Sequence, residues 1–199
     1  AEIYRVTKDA KIYKIGKEYI QQHINKFQRE DGLWDRHWYR ENNKKVKYPS
    51  GTKRGMGWAM ESLLAANRMF SNDKYINYIK KMAEHLSRWQ HSSGYWTTEF
   101  NSQKETGVSD KATALWCFLF YKLYNVTKNN EHLKVARSAL DWCINHQYNG
   151  IDNEAKGSLI GCNSNSGIVY RNWYNMSCSY ASSFYGLALI EELKLRNKN

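Results

Sequence analysis

Four residue types that can do chemistry stand close together in the first third of the chain. Arg54 carries a planar guanidinium that can hold a carboxylate with two parallel hydrogen bonds. It stands at the start of a helical pattern, where the helix dipole also favours an anion. Trp58 follows one turn later on the same face and could form an aromatic floor for a ring-shaped ligand; packing into a core is the competing role of a helical aromatic. Glu61 lies on the side of Trp58, and burial would raise its pKa into the range of a proton donor. His37 sits between Arg36 and Trp38 in a long connecting segment, where it could share proton transfer or stand as an ordinary surface imidazole. Asp110 begins a later helical pattern, as a helix cap or as an acid. Trp34 and Trp96 occupy matching places in two similar turns, where stacking on a ligand competes with packing against their own hairpins.

Those turns reveal the elements that must position the set. Gln28-Arg-Glu-Asp-Gly32-Leu-Trp34 and Gln90-His-Ser-Ser-Gly94-Tyr-Trp96 lie 62 residues apart, each after an amphipathic segment, and a degenerate third copy is read at Gln147-Tyr-Asn-Gly150. Internal repetition at such a period is the signature of stacked supersecondary units. The helical period gives six segments: about 8–27, 55–70, 73–91, 109–124, 131–147 and 179–195. The fourth, centred on Leu115-Trp-Cys-Phe-Leu-Phe-Tyr, is apolar nearly all round and belongs inside. More apolar helices (second, fourth, sixth) alternate with amphipathic ones, and strand signals are nearly absent. The expected fold is therefore all-α: an array of about three helical hairpins forming part of an (α/α) toroid, as one domain over residues 1–199. The long connections 28–54, 92–108 and 148–178 all precede an inner helix, so they gather at one end of the array.

Composition narrows the partners. Thirty Lys and Arg against nineteen Asp and Glu give a net charge of +11, and a surface this basic attracts polyanions. No Lys/Arg cluster is dense enough to resemble a nucleic-acid arm; the densest, Lys44-Lys45-Val-Lys47, is read as a solvated loop. No apolar run reaches the length that spans a bilayer. Cys117, Cys143, Cys162 and Cys178 lack the close pairing of a structural zinc site, and neither a metal nor a cofactor is expected. Cys117 and Cys143 read as small buried hydrophobes, while Cys162 and Cys178 flank a polar segment that a disulfide would close in an exported protein. A bacterial cytoplasmic and an exported location both fit.

The segment Ser50-Gly-Thr-Lys-Arg54-Gly55-Met56-Gly57-Trp58 resembles the Trp-Ala-Arg-Gly-Asn/Gln-Gly/Ala-Trp motif of the unsaturated glucuronyl and rhamnogalacturonyl hydrolases. Around it, Gly32-Leu-Trp-Asp-Arg-His37-Trp38 is similar to that family's Gly-Leu-Phe-Tyr-His-Gly-Trp loop. Gln90 to Trp96 is similar to its Gln-x-x-x-Gly-x-Trp turn, and Ser109-Asp-Lys-Ala-Thr-Ala114 to one of its helix starts. The order of these motifs agrees over most of the chain. Departures are Thr52-Lys53 for the family's Trp-Ala and Met56 for its Asn or Gln. The resemblance implies a six-hairpin toroid of which this chain supplies about three hairpins, with the family's acid–base aspartate lying in the other half. It further implies hydration of the vinyl ether bond of a terminal unsaturated uronic acid, whose attached sugar then leaves. Arg54 would hold the uronate carboxylate, Trp58, Trp34, Trp38 and Trp96 would line the sugar, and His37, Glu61 and Asp110 are candidates for proton transfer. An acidic oligosaccharide or polysaccharide is the expected partner. A polysaccharide lyase, a uronyl epimerase and a noncatalytic carbohydrate-binding module remain alternatives. Apolar flanks at the ends of a partial array predict a homo-oligomer or pairing with a complementary half-domain.

Overall fold

The computed structural model describes residues 2–35, 37–39, 44–46, 54–97, 108–159 and 177–197, the short strands and residues 2, 54 and 55 by their backbone alone. They form α1 (Glu2–Thr7), α2 (Ala10–Phe27), β1 (His37–Tyr39), β2 (Lys44–Val46), α3 (Arg54–Phe70), α4 (Lys74–Arg88), α5 (Asp110–Thr127), α6 (Asn130–Asn145) and α7 (Ser179–Arg196). The six expected helices are present. Two elements were not expected: α1, and the antiparallel pair β1–β2, with His37 opposite Val46 and Trp38 opposite Lys45. The basic run read as a loop therefore lies largely in a strand.

Polar side chains set the helix starts. Asp9 accepts from the Lys11 N–H at 2.7 Å, Asn72 from Lys74 at 3.0 Å, Ser109 from Ala112 at 3.2 Å and Asn129 from Glu131 at 3.0 Å, each satisfying an N–H that the helix cannot. Lys8, left-handed at φ 55°, separates α1 from α2, which explains why the short first helix does not continue into the second.

The chain forms two compact units, Ala1–Ser50 with Gly55–Arg88, and Gly51–Arg54 with Trp89–Asn199. In the first, Ile20 and Ile24 of α2, Met60, Leu63 and Leu64 of α3, and Tyr75, Ile79, Met82 and Leu86 of α4 are buried. Phe70 joins the three helices, edge-on to Tyr13 at 4.9 Å and tilted against Tyr75 at 5.7 Å. In the second unit α5 packs on both α6 and α7, as its apolar sequence demands. Leu115, Trp116, Cys117, Leu119, Phe120, Tyr121 and Leu123 are sealed from solvent, and small residues (Ala136 and Ala139 of α6, Ala181 and Ala188 of α7) let the helices approach.

Candidate functional site

The best-supported candidate surface is built on α3. Arg54 is its first residue. Met56 and Gly57 turn inward and are buried, whereas Trp58, one turn from Arg54, is 52% exposed. An exposed indole on an otherwise core-forming helix leaves a flat apolar face for a ligand. Glu61 continues that face and is exposed as well. This corrects the premise for Glu61 as a proton donor, which was that it is buried. His37 and Trp38 lie in β1, which packs near α2, with Trp38 opposite Lys45 in the backbone register.

Trp34 and Trp96 require a correction in the other direction. Trp34 is 8% exposed and Trp96 is fully buried, stacked 6.1 Å from Phe120, so neither offers a ring to a sugar. Their turns are clips between helices. Gln28 donates through its amide to the Gly32 carbonyl and to the Tyr78 carbonyl of α4, both at 3.2 Å. Gln90 repeats this with the Gly94 carbonyl at 2.9 Å and the Val135 carbonyl of α6 at 3.0 Å. Gly32 and Gly94 have φ of 85° and 98°, and a Cβ there would drive into Lys81 and Ser138 on those same helices. Close approach and a left-handed backbone both demand glycine.

The third turn is displaced from its expected place. Tyr148 N–H bonds the Ser158 carbonyl and Gly157 N–H the Tyr148 carbonyl, as Arg29 with Leu33 and Gly32 with Arg29 do in the first turn. Gly157 is left-handed at 83° and Gly150 is not, so Gly157 is the repeat glycine, reached after a longer excursion, and Leu159 takes the tryptophan's place. The second and third turns are tied to the helix after them: Trp96 N–H donates to Thr113 Oγ1 at 3.1 Å and its carbonyl accepts from Ser109 N–H, and Leu159 does the same with Ser182 Oγ and Cys178 N–H. Cys178 is half-buried at the start of α7, and Cys162 lies outside the described residues.

Asp110 does not cap α5; the Ser109 hydroxyl does, and Asp110 follows it, 4% exposed in the first helical turn. Burial first, and the Asp110 carboxylate second, push the Cys143 thiol up. Burial likewise raises the Cys117 thiol well above its ordinary value, so both are inert packing groups, as their sequence surroundings implied. A charged cluster that no motif announced lies nearby. Glu192, 5% exposed, accepts from Arg137 Nε at 3.1 Å and its Nη2 at 3.2 Å, from Arg196 Nε at 2.9 Å and from the Tyr121 hydroxyl at 3.1 Å. Burial works against its ionisation, but the bonds from Arg137, Arg196 and Tyr121 outweigh it and hold the carboxyl below its usual value. The same surroundings drive the Tyr121 phenol up, burial leading. With all its oxygens engaged, Glu192 ties α5, α6 and α7 together.

Asp35 is a further buried carboxylate that sequence reasoning passed over, as is Glu191 beside Glu192. Asp35 is 6% exposed, its Oδ1 and the neighbouring Trp34 Nε1 have no hydrogen-bond partner among the described residues, and it lies two residues before His37. Only its place directly after the repeat tryptophan could have marked it. Among the described residues no group of His, Cys, Asp and Glu is placed to hold a metal ion, and no helix is long and apolar enough to cross a membrane.

Comparison with solved structures identifies the architecture. A possible member of the GH105 family from Klebsiella pneumoniae superposes with a TM-score of 0.79 over 98% of this chain and 52% of its own, at 17% identity. The fold is an all-helical array that forms part of a toroid. The unsaturated glucuronyl hydrolase of Bacillus sp. GL1, responsible for the degradation of glycosaminoglycan, gives 0.72 over 95% of this chain and 54% of its own at 15% identity. A polysaccharide lyase gives 0.76 over 99% and 58% at 18% identity. The chain therefore spans about half the length of the toroid proteins it matches. No protein-family model matches the sequence, and no curated protein does.

Proposed function

We propose that this chain is a carbohydrate-active protein that acts on acidic, uronic-acid-containing oligosaccharides, by hydration of an unsaturated uronyl unit. The observation that carries the reading is the pairing, on α3 of a toroid fold, of an N-terminal arginine with a half-exposed tryptophan one turn on. Arg54 would hold the uronate carboxylate bidentately, with the helix dipole adding to its pull. Trp58 would stack on the sugar ring, and Trp38 beside Lys45 on the β-ribbon would extend the aromatic, cationic lining. Water adds across the vinyl ether double bond, the proton to one carbon and the hydroxyl to the carbon bearing the ring oxygen, and the resulting hemiketal opens with release of the attached sugar. The proton donor is best sought at His37 and Asp35, one an imidazole and the other a buried carboxyl whose Oδ1 has no partner among the described residues. The net charge of +11 favours capture of a polyanionic substrate.

A lyase is the second reading, supported by the lyase among the solved toroids. The two leave opposite traces: a hydrolase consumes the ultraviolet absorbance of the unsaturated uronide, and a lyase creates it. The test is an absorbance assay on unsaturated uronyl oligosaccharides and on intact acidic polysaccharide, comparing the wild type with Arg54→Ala. Loss of absorbance that falls roughly 10- to 100-fold in kcat/KM in the variant supports the reading, on the strength of a charge-assisted hydrogen bond of about 1.5–3 kcal/mol. Unchanged turnover in Arg54→Ala overturns it.

A further inference from the structure

A groove between α6 and α7, within the second unit, takes no part in the reaction proposed for α3. It has a volume of about 370 Å³ and is lined by Arg137, Leu140, Asp141 and Ile144 of α6 and by Glu192 and Arg196 of α7. That is near the lower end of the size range of small-molecule sites, enough for a single sugar ring rather than a long oligosaccharide.

Its chemistry follows from how Glu192 is used. The buried carboxylate takes Arg137 through Nε and Nη2 but Arg196 through Nε alone, so Arg196 keeps both terminal amino groups for a ligand. The two arginine side chains remain 48% and 72% exposed. Because they share one buried carboxylate, their guanidinium planes are set before a ligand arrives, and binding costs less side-chain entropy than it would for two unattached surface arginines. One negative charge between two positive ones leaves the cluster cationic. Asp141, one turn after Arg137, is exposed and pairs with neither arginine. Leu140 is buried and Ile144 is 45% exposed, which adds an apolar wall.

These groups ask for different features of one ligand. The guanidiniums suit a planar carboxylate, which they can meet with paired N–H bonds. As a carboxylate Asp141 only accepts, and its charge repels a simple anion, so it suits a hydroxyl donor. Ile144 suits a face of C–H groups. A sugar ring bearing a carboxylate supplies all three features, inorganic phosphate supplies only the charge, and a neutral sugar lacks it. The ammonium of an amino acid would suit Asp141 but would meet two guanidiniums in a chain of net charge +11.

We propose that the α6–α7 groove is a second binding site for a uronic acid unit, with the carboxylate on Arg137 and Arg196, a hydroxyl on Asp141 and the ring against Ile144. The ligand class rests on the acidic-sugar reading of the chain, whereas the residues of the groove are independent of α3. Such a site binds a saturated unit without reacting with it, which gives the protein a hold on a polymeric acidic substrate apart from the unit being hydrated.

The test follows the Arg137 Nε–H resonance by heteronuclear NMR as sodium glucuronate, glucose or inorganic phosphate is added to the wild type, Arg196→Gln, Asp141→Ala and Arg54→Ala. Glucuronate is saturated and has no vinyl ether to consume, so binding is read apart from turnover. Arg196 and Asp141 are exposed, and circular dichroism checks that each variant keeps the fold. The expected result is a saturable shift with glucuronate in the wild type and in Arg54→Ala, weakened about tenfold or more in Arg196→Gln. Phosphate and glucose should bind the wild type at least about tenfold more weakly than glucuronate, and the preference over phosphate should vanish in Asp141→Ala. No saturable shift, glucose or phosphate binding as well as glucuronate, unchanged binding in Arg196→Gln, or a preference that survives Asp141→Ala overturns the proposal. Arg54→Ala is scored here by binding and in the absorbance assay by turnover, so either reading can fail alone.

Discussion

Replacing Gly94 with alanine tests the clip most directly. A methyl group there would sit 2.7 Å from the Ser138 carbonyl carbon, with the Ser138 oxygen closer still, and this obstacle is helix backbone that no rotamer change can move. The turn must withdraw from α6, which breaks the hydrogen bond from Gln90 to Val135 and leaves partly buried polar groups unpaired, at about 1–3 kcal/mol. The left-handed backbone, φ 98°, adds about 1–2 kcal/mol for any residue with a Cβ. Together Gly94→Ala should cost about 3–4 kcal/mol, and at about 2–4 °C per kcal/mol for a chain of this size Tm should fall by about 6–15 °C in a thermal melt. Gly157→Ala is the internal comparison. It has the same backbone strain without an obstructing helix, so in dilute, monomeric protein it should lose only about 1–2 kcal/mol. If the two variants melt together, the clips are incidental turns and the repeat reasoning fails.

Four further outcomes follow from named contacts. Gly186→Ala, in a helix interior with open space around it, should stabilise the monomer by about 0.5–1 kcal/mol in chemical denaturation. Glu192→Ala should destabilise by about 2 kcal/mol, with much of the effect moderated because Arg137 and Arg196 can turn to solvent. Since the folded-state pKa of Glu192 lies below its ordinary 4.5, its contribution is present above that value and is lost as pH falls through the folded one. Stability measured against pH should therefore drop less steeply on the acid side in Glu192→Ala than in wild type. Trp58→Ala should raise KM for an unsaturated uronide about 5- to 10-fold, matching about 1–1.5 kcal/mol of ring stacking, and leave Tm within a few degrees because the indole is half in solvent.

The helices were readable because each carries an apolar stripe at helical spacing and a polar residue at its start, which act locally. α1 was not, because six residues with Ile3 and Val6 facing water have no stripe to read. The β-ribbon escaped because three-residue strands give no run of alternation, and Lys44 and Lys45 look like loop residues. Gln147 was recognised but its glycine was misplaced: the sequence offers Gly150 at nearly the expected spacing, and only backbone hydrogen bonding selects Gly157. For the site, Arg54 and Trp58 could be singled out because one turn of helix relates them. The burial that separates Trp58 from Trp34 and Trp96 depends on packing between distant segments. Glu192 was invisible for the same reason, its partners Tyr121 and Arg137 being 71 and 55 residues away, although a Glu191-Glu192 pair inside an apolar run was a clue that something must pair with it.

Each glutamine clip also fixes a sequence of events during synthesis. Gln28 finds its acceptor 50 residues further on and Gln90 finds its own 45 further on, so a connecting segment cannot settle when its own helix has emerged from the ribosome, only when the next outer helix has. The nascent polypeptide thus keeps one unfinished loop at its growing end, and that loop advances by one repeat each time a helix is completed. A pause in translation just before α4 or α6 would prolong exposure of Leu33 or Trp96, and those intervals are when a chaperone would be needed most.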